Sequence, residues 1–178
     1  MALFFAFEMA QFRLVESMLL GMYASSRIAR TKEFIQHGTT TVFAHCRNVA
    51  FVSLKIARVL HVKVDSKSLV RGAIFHDYFL YDWHDKKARP SLHGFKHPYI
   101  ALKNAKEDYE LNSTEIDIIS RHMFPLTVLP PKTKEGWIVS IADKLCSLYE
   151  TFKLNERHIK KRKKLIAKTF QKKTSLQI

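Results

Sequence analysis

Apolar residues recur every three or four positions through most of the chain, and that period predicts helices. His45, Val49, Val52, Ile56 and Val59 step by four, three, four and three. They form one stripe on a helix that opens in "TTT" at 39–41 and runs to about Leu60. Before it, the pattern predicts helices over about 2–21 and from Ser26 to Gln36, the second stopped at "HG", where Gly38 suits a helix C-terminus. Asp65 or Ser66 caps a fourth helix that ends near Asp77. A fifth starts at about Pro98, whose ring suits a first turn. "NSTE" at 112–115 forms a capping box, Asn112 with Glu115, and predicts a helix from Ser113 to about His122. "FPLTVLPPK" breaks it, and a last helix starts near Lys134. No convincing alternating run predicts a strand. The expectation is an all-α, single compact helical domain, with 1–36 as N-terminal helices on a core at 37–152.

Residues 79–96, "FLYDWHDKKARPSLHGFK", are the one long irregular stretch. A polar, aromatic loop of this length in a small domain is often functional.

Charge changes the picture only at one end. The net charge is +14, and residues 153–178 carry ten Lys/Arg against one Glu, or +9 of it. That segment is expected to be a basic helical tail, for which a solvated helix end and nonspecific nucleic-acid contact are the two readings. No run of 18 apolar residues is free of charge, so no membrane span is expected. The apolar N-terminus carries Glu8, Arg13 and Glu16, which fits an amphipathic helix better than a signal peptide. Cys46 and Cys146 lie in apolar helical patterns without CxxC spacing. Reduced core thiols in a cytoplasmic protein are expected.

The informative residues are polar ones at core positions. His45 lies on the stripe described above. His76 shares a stripe with Leu69 and Ala73, and Asp77 shares the adjoining one with Val70. His97 is followed at +3 and +4 by Ile100 and Ala101, His122 is preceded by Ile118 and Ile119, and Asp143 shares a side with Val139 and Cys146. Any one of these is explained by a satisfied core residue. Six on five helices are hard to satisfy one by one, because burying an unpaired carboxylate costs several kcal/mol. Converging on a divalent metal satisfies all six. Imidazole with carboxylate suits Mn²⁺, Fe²⁺, Co²⁺ or Zn²⁺.

The ordered set His45, His76-Asp77, His97, His122 and Asp143, with "ADK" at the last, resembles the HD-domain phosphohydrolase superfamily over roughly residues 37–150. The resemblance implies an all-helical fold around a metal held by His45, His76, Asp77 and Asp143. It also implies a second ion, because "HPYIA" at His97 is similar to a segment of two-metal members and His122 fits the other extra position. One or two divalent transition metal ions are therefore expected. The implied activity is hydrolysis of a phosphate ester or anhydride of a nucleotide or other small phosphorylated metabolite by metal-activated water. The cyclic-dinucleotide members carry a lysine after "HD" and a Gly-Tyr-Pro segment, and neither occurs here. A catalytically silent nucleotide sensor, or a nucleic-acid-binding protein using the tail, is the alternative.

Around the ligands, Lys86, Lys87, Arg89, His93, Lys96 and Arg121 are candidates for substrate contact. Asp82 is a candidate general acid or base, with a turn residue as its plain alternative. Lys144, next to Asp143, is a candidate for contact with phosphate. His93 rivals His97 as a ligand, and Trp83 and Tyr81 are candidates for stacking on a base.

Overall fold

The computed structural model describes residues 2–23 and 27–153, with side chains for 9–22 and 27–153. The basic tail expected beyond Lys153 lies outside the described residues. Six α-helices carry the described fold: α1 Ala2–Tyr23, α2 Val42–Val59, α3 Ser66–Phe75, α4 His93–Asp108, α5 Ser113–Arg121 and α6 over 134–153. No helix among the described residues is long and apolar enough to cross a membrane.

Helices α2, α3 and α5 start where a side chain can take up free backbone N–H groups. Thr41 accepts from Ala44 N for α2, and Asp65 accepts from Lys67 N for α3. Asn112 and Glu115 make both bonds of the capping box for α5. The core lies where α3 packs between α2 and α5, with α1 on α2 and α4 on α5. Val49, Leu69, Val70, Ala73, Phe75, Ile118 and Val139 are all fully buried there. Gly72 lets α3 approach α5 closely, because a Cβ at this position would collide with the Ile118 side chain.

The stretch from 26 to 36 departs from the helix expected there. A 3-10 helix covers Arg27–Lys32, and a small antiparallel hairpin follows, Ile35–His37 (β1) with Thr40–Thr41 (β2). Gly38 takes φ 66 in the turn between them. Strands of three and two residues are too short to show alternation, so the sequence pattern could not reveal them. α4 also starts five residues before Pro98. Pro98 forgoes only the bond to the Gly94 carbonyl, while Phe95 N and Lys96 N bond to Leu92 O. Leu92, at the N-cap, has left-handed geometry.

One polar cluster ties the N-terminal segment to this body. Asp108, ending α4, accepts from Arg27 Nε and Nη2 and from Tyr78 OH at 2.6 Å. Burial works against the Asp108 carboxylate, but Arg27 and then Tyr78 hold it below the usual range. A depressed folded pKa contributes stability that is present above the unfolded value of about 3.9 and is lost as pH falls through the folded value. Asp108→Asn is therefore expected to cost about 2 kcal/mol at pH 7. The difference from the parent should shrink below about pH 4. Urea midpoints at pH 7 and pH 3 check this, and an equal difference at both would contradict it.

Candidate metal centre

Five helices each deliver part of one buried cluster. α2 places His45 and α4 places His97. His76 and His122 sit as the C-caps of α3 and α5, both still in helical geometry. α6 places Asp143. All of these, and Asp77, are buried. His45, His76, Asp77 and Asp143 present donor atoms all within 4.8 Å of one another, and so do Asp77, His97 and His122.

Asp77 belongs to both groups through opposite oxygens. Its Oδ2 lies 3.3 Å from His76 Nε2 and 3.7 Å from His45 Nε2. Its Oδ1 lies 3.2 Å from His97 Nε2 and 3.6 Å from His122 Nε2. His76 closes α3, and Asp77 follows just beyond its end, which lets neighbours in sequence reach the same cluster. Asp143 Oδ1 completes the first group, 3.1 Å from His45 Nε2 and 3.6 Å from His76 Nε2.

The hydrogen bonds behind these rings test whether a cation fits. Nδ1 of His76, His97 and His122 bonds to the carbonyls of Ala73, His93 and Ile119 at 2.7–3.0 Å. A carbonyl accepts only, so Nδ1 carries the proton and Nε2 of the neutral ring is a lone pair. The Nε2 atoms of His97 and His122 then face each other at 2.9 Å. His76 Nε2 and Asp77 Oδ1 are buried with no hydrogen-bond partner. Nε2 atoms that converge on a carboxylate in this way need a proton or a cation between them, and a divalent cation satisfies them together. The donor set fits such ions.

The charge balance within the protein points the same way. Burial works against the Asp77 carboxylate, but His76 and then His97 hold it well below the usual range. Burial likewise opposes Asp143, and His45 followed by His76 outweighs it. Burial opposes charge on His45 too, yet Asp143 and Glu150 push it up to about 10. Burial, then His76 and His97, push His122 down to about 3. The two carboxylates thus draw positive charge to the first group, while His122 stays a neutral donor.

Two residues behind the ligands escaped the sequence reading. Gln36, in β1, donates through Nε2 to Asp77 Oδ2 at 2.6 Å and so fixes the plane of the shared carboxylate. Glu150, in α6, accepts from His45 Nδ1 at 2.9 Å and from Asn48 Nδ2 at 3.1 Å. Such partners set ring orientation and ligand basicity. Glu150→Gln is expected to weaken the first group's metal affinity about 10- to 100-fold and leave the second group's unchanged. Metal titration followed by calorimetry checks this, and loss at both sites would contradict it.

A cavity of about 1210 Å³ opens over the cluster. Of the expected substrate contacts, Arg89 and His93 line it, and so does Lys144. His93 is no rival to His97 here. Its Nδ1 meets Tyr81 OH at 2.9 Å, and its ring stacks between Trp83 and His97. Burial, then His97, push it down to about 4.

The structure does not bring Asp82, Lys86, Lys87, Lys96 or Arg121 to the cavity. Asp82 is half exposed and accepts from His84 N, closing a turn. Lys86 and Lys87 are exposed, and Lys96 donates to Ser91 Oγ. Arg121 pairs with Asp117 and donates to Pro130 O, bracing the loop at 122–133. Asp117 also accepts from the backbone of Lys132 and Thr133, so Arg121 joins a brace that is already built.

The helices and the buried His/Asp cluster define a helical domain built around a candidate divalent-metal site. The HD domain family model matches residues 42–148, more than half of the chain, and the chain belongs to that family. HD domains bind divalent metals, and the family points to metal-dependent phosphohydrolases. Comparison with curated proteins and with solved structures found no match.

Proposed function

We propose that the protein hydrolyses a phosphate ester or anhydride of a small phosphorylated metabolite, nucleotides included, with two divalent ions bound. The observation that carries this reading is Asp77, whose two oxygens face two separate sets of imidazole lone pairs. Divalent ions held there would supply a nucleophile at neutral pH from water and neutralise charge growing on the phosphoryl oxygens. The chain's own residues hold and orient. Gln36 and Glu150 fix Asp77 and His45. Ser140 Oγ and Lys144 Nζ both donate to the His122 carbonyl, at 2.6 and 3.0 Å, and anchor that turn of chain.

Lys144 was a candidate for phosphate contact, and its geometry favours a positioning role. Its Nζ makes three bonds, to His122 O, Ser140 O and Ser140 Oγ. An ammonium has three donors, so none is left over. Two buried free thiols, Cys46 and Cys146, support a reducing compartment such as the cytoplasm.

The test is metal per chain after purification without chelator, together with turnover of a panel of phosphate esters and anhydrides with added Mn²⁺, Fe²⁺ or Co²⁺. About two equivalents with phosphate release that chelator abolishes is the expected result. Near-zero metal after loading would overturn the reading. So would full metal with no turnover of any phosphate compound.

A further inference from the structure

The lining of the cavity is poor in cations and rich in exposed apolar side chains. Arg89 and Lys144 are the two Lys/Arg side chains that line it among the described residues. The three donors of Lys144 are committed to His122 and Ser140, and burial lowers its pKa. Arg89 is different. Its backbone N bonds to Asp85 O, and its guanidinium makes no hydrogen bond or ion pair with the described residues. A guanidinium can bind one phosphate through two parallel bonds.

Besides this single available cation the lining is largely apolar. Leu92, Met123, Pro125, Leu126, Leu148 and Phe152 all line the cavity. They come from three separate segments: the end of the loop before α4, the loop after α5, and α6. Leu92 is 69% exposed and Phe152 64%, with Leu148 and Leu126 also largely open. Apolar side chains that face a concave site shed water only when apolar ligand surface covers them. Trp83 adds an aromatic edge, with its indole Nε1 buried and without a partner.

We propose that the substrate carries a single phosphate on an apolar, ring-bearing body, an arylated or similarly apolar phosphomonoester. The phosphate sits between the metal centre and Arg89, and the body lies against Leu92, Leu126, Leu148 and Phe152. A nucleoside triphosphate or a dinucleoside polyphosphate would place further phosphates beyond the metal centre, where Arg89 is the one uncommitted Lys/Arg side chain of the lining to meet them. Hydrolysis forms a P–O bond from water, breaks the ester P–O bond, protonates the released alcohol and frees inorganic phosphate. The inference rests on the phosphohydrolase reading only in putting phosphate at the metals.

The test separates binding from turnover. The Mn²⁺-loaded full chain is titrated calorimetrically with 1-naphthylmethylphosphonate and with methylphosphonate, whose C–P bonds resist hydrolysis. The aromatic phosphonate is expected to bind at least about tenfold tighter. The double variant Leu148→Gln/Phe152→Gln, altered at exposed positions, should shrink that gap to less than about threefold, and Arg89→Gln should weaken both ligands by a similar factor. Equal affinity for the two phosphonates would overturn the inference, as would a gap that the double variant leaves intact. In parallel, kcat/KM for 1-naphthyl phosphate should exceed that for a nucleoside triphosphate, and the reverse order would also overturn it. The expected binding order with no ester turned over would instead sink the phosphohydrolase reading and leave the pocket assignment standing. Turnover without preference would do the opposite.

Discussion

Asp77→Asn is expected to lose both ions at once. The amide keeps the shape of the side chain but not the two anionic oxygens that face His76 and His97 at 3.3 and 3.2 Å. Neutral imidazoles would remain on both sides with nothing to hold a pair of dications together. Bound metal should fall to less than about a tenth of the parent's, given that even partners behind the ligands are worth 10- to 100-fold. Hydrolysis should fall at least about a thousandfold, because the nucleophile goes with the metal. The stability readout separates this from misfolding. Metal at about 100 times its Kd stabilises the parent by about 2.7 kcal/mol for each ion bound. For a chain of this size that is about 5–10 °C in Tm. Asp77→Asn should show no such rise, and in chelator it should melt close to the parent, since the amide keeps the shape of the side chain and its oxygen can still accept from Gln36. A variant that still gained 5 °C on adding Mn²⁺ would show that Asp77 does not bridge the two groups.

The six residues of the cluster were legible because each occupies a slot that the helical period assigns to the interior. A buried His on the stripe of Val49 and Ile56 is conspicuous, and six such residues leave few arrangements. The fold was legible for the same reason wherever helices run for several turns. Where elements are short the period carries nothing. β1 and β2 together span five residues, and the turn at Gly38, read as a helix stop, is the turn of a hairpin.

That misreading had a cost at the site. Gln36 fell at the end of a supposed helix, and its bond to Asp77 depends on the hairpin. Glu150 was overlooked beside the basic segment, yet it lies seven residues after Asp143, two helical turns on the same face, and that spacing was available in the sequence. The sequence makes Arg121 a candidate for substrate contact. Asp117 stands four residues earlier on α5, and the i,i+4 pairing it makes was equally readable. Loop cations such as Lys86 and Lys87 could not be sorted from Arg89, because which of them faces the cavity depends on turns made by Asp82 and Asp85.

His122→Ala separates the two groups. His122 belongs only to the second, with Asp77 and His97, while His45, His76, Asp77 and Asp143 form the first without it. In the parent, the Nε2 atoms of His97 and His122 face each other across 2.9 Å, with both Nδ1 atoms bonded to carbonyls, an arrangement that an ion between them relieves. Removing one ring leaves the second group with one imidazole and one carboxylate oxygen, too few to retain a divalent ion against water. The variant is therefore expected to hold about half the parent's metal, with first-site affinity unchanged within about threefold. Turnover should fall by about a hundredfold or more, because one ion alone must then orient the phosphate and offset its charge. His97→Ala should do the same, and the double variant no more than either alone, since each empties the same site. Metal content by plasma emission and hydrolysis at saturating Mn²⁺ decide it. Full turnover at half the metal would mean that the first group works alone and that His97 and His122 serve only to shape the cavity.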